Sequence, residues 1–300
     1  MIRGFSKKFL KEIFLIIFIF SSQLFSGRNF FYFIGHATVL INIDDVSILT
    51  DPNWNDYDLF LKREKPPALK IEDLPKIDLI LISHGHFDHL DLDTLKKIFK
   101  LNPGLKIFLP KNLGFLMEEI GIRNFKELEP GEILNYKNIE IKVYKARHNG
   151  RRYIFSKIDT SLALCYLIKG SSTVFFSGDT GYTNLFKLIG ESEKIDVAFL
   201  EIQGWIIDKK VRNVDNYIND YDYDRERGLF YVGRHLHPLQ AIKVFLDLKA
   251  KKFVPIHYDA FFVNFRRDDD PIKILKNEFK KLGIDDRLIL DKAGVKFYIE

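Results

Sequence analysis

One stretch constrains this chain more than any other: Asp78-Leu-Ile-Leu-Ile-Ser-His-Gly-His-Phe-Asp-His-Leu-Asp91. Asp78–Ser83 is a continuous apolar run of strand length, the pattern of a strand buried on both faces. It stops directly at His84-x-His86-x-Asp88-His89, four potential metal ligands in six residues. A strand that ends abruptly lets alternate side chains diverge, so one loop can serve two neighbouring ions. Glycine at 85 allows the bend such crowding needs. Imidazole nitrogens together with carboxylate oxygens suit Zn²⁺, and also Mn²⁺ or Fe²⁺. The competing reading is a polar turn with incidental histidines.

The other histidines weigh against incidence. All eight fall in five short motifs: His36 in Gly-His-Ala-Thr, the loop just described, His148 in Ala-Arg-His-Asn-Gly, His235 and His237 in His-Leu-His-Pro, and His257 in Pro-Ile-His-Tyr. Two ions need more ligands than one loop supplies. His148, Asp179 (in Ser-Gly-Asp-Thr-Gly) and His257 each follow an apolar strand or sit in a glycine-flanked turn. Asp179 has two oxygens and could bridge both ions. Taken singly each would be a capping residue; taken with the loop, each is a candidate ligand.

The segments between motifs place them. Phe30–Ile34, Thr38–Ile43 and Val46–Thr50 read as consecutive strands with a hairpin turn at Asp44-Asp45. Further strands are expected at 139–145, 162–169, 173–177, 196–201 and 253–256, with closing strands at 287–290 and 295–299. Helices are expected over 91–100, from Pro238 onward, and over 272–282, the proline at a first turn where its missing N–H costs nothing. Strands mixed with helices in both halves, with metal-type residues at strand ends, predict an α+β fold of two sheets with helices outside. Residues 206–233 stand apart, charged and tyrosine-rich, and read either as an active-site lid or partner surface or as a solvated excursion.

Charge narrows the partners. The net charge is +5, but residues 1–28 carry five basic residues against Glu12 and so hold +4 of it. A body of 272 residues with +1 has no general basic field, which disfavours nucleic acid as a partner. The basic stretch precedes Ile13-Phe-Leu-Ile-Ile-Phe-Ile-Phe20 and then small polar residues, the order of a secretory signal or short membrane anchor. The expected organisation is a membrane-targeting leader or anchor over 1–28 and one catalytic domain over 29–300. That implies a membrane-associated or exported protein, with a helix packed on a cytoplasmic domain, or lying on a membrane surface, as the alternative. The single cysteine, Cys165, excludes internal disulfides and reads as a small buried hydrophobe.

Gly-His-Ala-Thr, Thr50-Asp-Pro52, Ser-His-x-His-x-Asp-His-Leu-Asp and Ser-Gly-Asp-Thr-Gly-Tyr182 together resemble the metallo-β-lactamase superfamily. Pro66-Pro67 ahead of Leu74-Pro75, Ala146-Arg-His-Asn-Gly-Arg-Arg152, His235-x-x-Pro238 and Ile256-His-Tyr-Asp-Ala-Phe261 are similar to the branch of N-acyl-phosphatidylethanolamine-hydrolysing phospholipases D. The likeness spans roughly residues 31–262. It implies a four-layer αββα sandwich with the metal site at strand ends between the sheets. It also implies one ion on His84, His86 and His148, and a second on Asp88, His89 and His257, with Asp179 bridging. His235 would face the substrate, and Asp88 and His235 are the candidates for direct catalysis. His36 and Thr38 lie outside the ligand set, with ligand orientation or plain packing as their roles. Asp51 is a candidate for orienting ligands, and Asp91 equally a helix cap. The chain departs from the branch at Asn149 and Tyr258, where tryptophan is usual, and at Leu162-Ala163, where Leu-Trp is common.

The function this implies is a dinuclear metal-dependent hydrolase, most of all a phosphodiesterase acting on phospholipid through a metal-bridging hydroxide. Two ions lower the pKa of a bridging water towards about 7, and His235 as general acid adds a factor of about 10²–10⁴. The same site could direct hydroxide at a carbonyl, as in a lactonase. A membrane-bound binding protein with vestigial catalysis is the third reading. Redox use of this fold normally replaces the second loop histidine with a carboxylate, and His86 is retained.

Overall fold

The computed structural model describes residues 28–58, 61–153, 157–204, 234–261, 270–290 and 294–299. Most of the expected leader and all of the 206–233 segment lie outside them. The described chain forms fifteen strands: β1 (Phe30–Gly35), β2 (Thr38–Ile43), β3 (Val46–Thr50), β4 (Tyr57–Asp58), β5 (Leu61–Lys62), β6 (Leu79–Leu81), β7 (Lys106–Pro110), β8 (Phe125–Leu128), β9 (Ile133–Tyr136), β10 (Ile139–Lys145), β11 (Leu164–Lys169), β12 (Thr173–Phe176), β13 (Val197–Glu201), β14 (Lys252–Ile256) and β15 (Lys296–Tyr298). Its α-helices are α1 (Leu92–Leu101), α2 (Gly114–Glu119), α3 (Leu185–Ser192), α4 (Pro238–Asp247) and α5 (Pro271–Lys281).

Two sheets carry the architecture, in the orders β15-β1-β2-β3-β6-β7-β8 and β14-β13-β12-β11-β10-β9. Each is antiparallel on one side and parallel on the other: β3, β6, β7 and β8 run parallel in the first, and β12, β13 and β14 in the second. Alternation along the strands sorts side chains into three cores. Val39, Ile41, Tyr166, Ile168, Phe176 and Phe199 meet between the sheets. Leu40, Leu49, Ile80 and Ile107 face α1 and α2 through Leu95, Ile98 and Leu116. Cys165, Leu167, Phe175 and Ala198 face α3, α4 and α5 through Phe186, Phe245 and Phe279. Because both faces of each sheet are covered, central strands read as continuous apolar runs rather than alternating ones. The result is the expected four-layer αββα sandwich.

Local signals act where the sequence places them. Asp44 and Asp45 both take left-handed backbone (φ 51° and 62°) and close the hairpin between β2 and β3, as a two-residue loop requires. The Asp91 side chain accepts from Asp93 N–H and Thr94 N–H and caps α1, and Asp270 does the same for α5. His237 is a cap as well: its ring accepts from Leu239 N–H while Gln240 accepts from His237 N–H, ahead of Pro238. One expectation needs correction. Residues 287–290 are not a strand: a 3-10 turn over Asp285–Arg287 leads to a single bridge, Phe253 to Leu288. The Arg287 guanidinium there donates to the carbonyls of Ala250 and Lys251, tying the segment down by its side chain instead of a ladder.

Candidate metal centre

In both sheets the strands that end in metal-type residues run the same way, so their C-terminal ends share one rim. His36 follows β1, Asp51 follows β3, His84 to His89 follow β6, His148 follows β10, Asp179 follows β12, Glu201 ends β13 and His257 follows β14. Three of these turns are made by non-glycine residues in left-handed backbone: His36 (φ 55°), Asp51 (φ 34°) and His257 (φ 58°). Such backbone costs on the order of 1–3 kcal/mol per residue and persists where surrounding structure over-determines it. Here it swings each side chain off its strand axis into the gap between sheets, and His257 N–H donates to His36 C=O to lock two of the turns together (2.7 Å). Gly178 (φ 51°) turns the chain before Asp179, and a Cβ there would sit 2.4 Å from Ser83 Cβ. Gly85 serves a different purpose from the one its sequence context suggests. Its backbone is not left-handed; a Cβ would meet the Gly150 carbonyl at 2.7 Å, so the glycine permits close approach of two loops.

Two nests of donor atoms form, joined by one carboxylate. In the first, His86 Nδ1 lies 3.0 Å from His84 Nε2 and 3.3 Å from His148 Nε2. Asp179 Oδ2 completes it at 3.7 and 3.8 Å from the Nε2 atoms of His84 and His148. In the second, Asp88 Oδ2 lies 3.4 Å from His89 Nε2 and 3.2 Å from His257 Nε2, and Asp179 Oδ1 lies 3.3 Å from both nitrogens. Tetrahedral coordination with bonds near 2.0–2.1 Å spaces its ligands by about 3.3 Å. The separations in both nests fit that value.

Hydrogen-bond partners decide which nitrogens are bare. His148 Nδ1 faces the Arg234 carbonyl at 2.9 Å, which can only accept, so Nδ1 carries the proton and Nε2 the lone pair. His89 Nδ1 faces Asp51 Oδ2 at 2.8 Å, with the same consequence. Ser83 O–H donates to Asp51 Oδ2 (2.6 Å), so Ser83 Oγ accepts from His84 Nδ1 (2.9 Å), and His84 Nε2 is bare too. His36 Nε2 holds Asp88 Oδ2 at 2.8 Å, the orienting alternative of the two expected for it, whereas Thr38 donates to the Asp51 carbonyl and packs the turn. Three imidazole lone pairs and two carboxylates thus converge with no hydrogen between several of them. His89 Nε2 and Asp179 Oδ1, fully buried, have no hydrogen-bond partner among the described residues. A buried polar atom without a partner costs about 1–3 kcal/mol; a cation between these atoms removes that cost.

Burial and charge pull the individual imidazoles in different directions. Burial, reinforced by neighbouring imidazoles, holds His84 well below its ordinary value, and burial takes His148 down to about 3. Both stay neutral at pH 7, as ligands must. Burial would lower His89 as well, but the charges of Asp179 and Asp88 override it and drive this imidazole well above its ordinary value. Burial opposes ionisation of Asp88 and Asp179, and the surrounding histidines outweigh it, holding both carboxyls well below the usual range. The pocket therefore concentrates negative charge that a divalent cation would neutralise.

Around the nests sit three further residues, of which Glu201 was not singled out by any sequence motif. Glu201, fully buried at the end of β13, accepts from Thr180 N–H (2.6 Å) and holds His235 Nδ1 (2.8 Å). The His235 ring, 27% exposed, lies between those of His148 and His257. Burial lowers His235, and the Glu201 and Asp179 carboxylates overcome it to hold the ring at about 9. Arg152, stacked on Phe87, donates to the carbonyls of Gly85 and Leu90 and so closes both ends of the ligand loop. The signal for Glu201 was a charge ending a fully buried strand, Val-Ala-Phe-Leu-Glu.

The chain is similar to known proteins in sequence and in fold. The chain is 32% identical over 244 residues to N-acyl-phosphatidylethanolamine-hydrolyzing phospholipase D 1 of Caenorhabditis elegans, covering 76% of this chain and 63% of that protein. It is 28% identical over 262 residues to the mitochondrial N-acyl-phosphatidylethanolamine-hydrolyzing phospholipase D of Saccharomyces cerevisiae, covering 82% and 51%. The chain thus spans between half and two-thirds of the length of these curated relatives. A metallo hydrolase of the archaeon Ignicoccus hospitalis shares the fold, with a TM-score of 0.66 at 21% identity over 91% of this chain and 100% of that one. The family model of the beta-lactamase superfamily domain matches residues 47–258, a span that takes in every strand end of the rim except that of β1. With that span and the donor-lined rim between two sheets, the chain belongs to the metallo-β-lactamase superfamily of metal-dependent hydrolases.

Proposed function

We propose that this chain is a dinuclear metal-dependent phosphodiesterase of the phospholipase D kind. The observation that carries the reading is the pair of four-donor nests sharing Asp179. His84, His86, His148 and Asp179 would hold one divalent ion, and Asp88, His89, His257 and Asp179 the second, with zinc the best match to this donor set. Two ions held there would supply water of lowered pKa and would offset the negative charge that builds on a phosphoryl group. The protein's own groups supply the rest. Asp88, the most exposed of the carboxylates at 15%, is oriented by His36 and faces the reacting group. His235, held up to about 9 beside Glu201, stands ready to give a proton from Nε2 to a leaving alkoxide. Likeness to two phospholipases D supports a phospholipid over a soluble ester. In this reading residues 1–28 direct the hydrolase domain, 29–300, to a membrane or for export. No helix among the described residues is long and apolar enough to cross one.

The test is release of phosphatidic acid from N-acyl-phosphatidylethanolamine in mixed micelles, with metal content measured on the same samples. Release by wild type carrying two ions per chain, abolished together with metal binding in Asp179→Asn, is the expected result. Undiminished release and metal content in that variant would sink the ligand scheme. No release from fully loaded wild type would sink the substrate class and turn the search to lactones.

A further inference from the structure

We propose that Glu201 is a positioning residue, a buried carboxylate that keeps a proton on His235 Nδ1 and ties that imidazole to the turn carrying Asp179. The inference rests on the hydrolase reading in one respect only, that the other ring nitrogen of His235 meets the substrate.

The geometry leaves Glu201 no other employment. It is completely buried, and both oxygens are engaged: Oε1 by Thr180 N–H at 2.6 Å, Oε2 by His235 at 2.8 Å. Its own N–H donates to Ser177 Oγ at 3.2 Å, which fixes the end of β13 against the end of β12. Glu201, His235, Asp179 and His257 lie close enough together to form a third donor set. A third ion held through Glu201 Oε2 would have to displace the hydrogen bond to His235 and share Asp179 and His257 with the other two nests. The carboxylate is satisfied as it stands, which favours positioning over ligation.

The chemistry of the two donors makes this sharp. A backbone N–H can only donate, so the carboxylate oxygen facing Thr180 must accept. The amide of Glu201→Gln retains that acceptor and turns its NH₂ toward His235. Two N–H groups would then face one another, unless His235 gives up its Nδ1 proton and moves to the tautomer with hydrogen on Nε2. His148 Nδ1, whose partner is the carbonyl of Arg234, is untouched by the change. A carboxylate-to-amide change behind a catalytic histidine costs on the order of 10⁴ in kcat where that histidine is the base, and loss of a general acid costs about 10²–10⁴.

The experiment labels histidine with ¹⁵N in the full chain, assigns His235 by comparison with His235→Gln, and reads which ring nitrogen carries hydrogen. Wild type should show hydrogen on Nδ1, and Glu201→Gln should lose it. Both proteins should bind the same number of metal ions. Turnover of the same protein should fall by about 10²–10⁴ in kcat with KM changed less than about threefold. In a His235→Gln background, adding Glu201→Gln should change kcat by less than about threefold, because the two act as one unit. Wild-type His235 without hydrogen on Nδ1 overturns the inference, and so does a full additive loss in the double variant. A metal ion lost on changing Glu201 would make it a ligand and overturns it too. The NMR and metal readings need no substrate. An inactive wild type would therefore count against the phosphodiester reading alone. Should Glu201→Gln not fold, the wild-type Nδ1 signal still decides.

Discussion

Asp51→Asn is the change that most directly probes how the nests are built. One Asp51 oxygen accepts Ser83 N–H (2.7 Å); the other accepts Ser83 O–H (2.6 Å) and His89 Nδ1–H (2.8 Å). Burial pushes this carboxyl up from its ordinary range, and the hydrogen bonds from His89 and Ser83 work against that. Asp51 therefore sets a ligand in each nest, His89 directly and His84 through Ser83. The amide of Asp51→Asn can keep the bond from Ser83 N–H, but its NH₂ then faces two groups that donate. To relieve the conflict His89 must shift its proton to Nε2, where it can no longer ligate. Ser83 must reverse as well, which disturbs His84. Loss of one partner behind a metal ligand costs about 10–100-fold in metal affinity. Two nests affected together put the fully loaded state at about 10²–10⁴-fold weaker, or about 2.7–5.5 kcal/mol at 1.36 kcal/mol per decade. Competition of the apo protein against a chromophoric chelator at a fixed pH of about 7.5, since metal binding by histidine depends on pH, measures this. Ser83→Ala is the internal control: it breaks only the relay to His84 and should weaken one ion, not both. Asp51→Asn binding both ions like wild type, or matching Ser83→Ala, would refute the reasoning.

Two further outcomes test the surrounding frame. Gly178→Ala combines a left-handed backbone with a Cβ 2.4 Å from Ser83 Cβ, and Ser83 cannot step aside without releasing Asp51. The strain and overpacking together should cost about 2–5 kcal/mol in urea denaturation of the apo protein, whereas a loss under about 1 kcal/mol would mean the turn is softer than its geometry implies. Glu193 accepts from Lys142 (2.6 Å) and pairs with Lys169 (2.8 Å), and these bonds outweigh the upward pull of burial to hold its carboxyl below 4.5. A lowered folded pKa means stability that is complete above the unfolded value and lost as pH falls through the folded one. Glu193→Gln should therefore cost about 1 kcal/mol at pH 7, with the difference shrinking below pH 4.5. A cost independent of pH would show that the lysines contribute packing and not charge.

How much of this was visible in the sequence follows from what buries what. Central strands such as Leu164–Lys169 stand out because both faces are covered and every residue up to the closing lysine is apolar. The peripheral strands Phe125–Leu128 and Ile133–Tyr136 mix polar with apolar residues at largely half-exposed or exposed positions, and nothing in four such residues distinguishes a strand from a turn. Helices α2 and α3 escaped for a related reason: at six and eight residues they show barely two turns of periodicity. Histidines were legible because few roles suit them in glycine-rich turns after apolar strands.

The residues that orient the nests were harder to read, and the reason lies in the backbone. Asp51 was legible as an orienting candidate from its place at a strand end, but Glu201 and Arg152 are ordinary residue types whose significance depends on partners 34 and 67 positions away, His235 for Glu201 and Gly85 for Arg152. Left-handed backbone is usually announced by glycine, yet at His36, Asp51 and His257 the chain accepts the strain on a functional side chain instead. At roughly 1–3 kcal/mol each, three such turns are a sizeable fraction of a domain's net stability. A glycine at any of them would relieve the strain and remove the imidazole or carboxylate that the turn exists to aim. The two sheets, packed through Val39, Ile41, Tyr166 and Phe199, provide the stability against which that strain is held. The same rigidity keeps bare nitrogens and carboxylate oxygens at ligand spacing whether or not a cation lies between them.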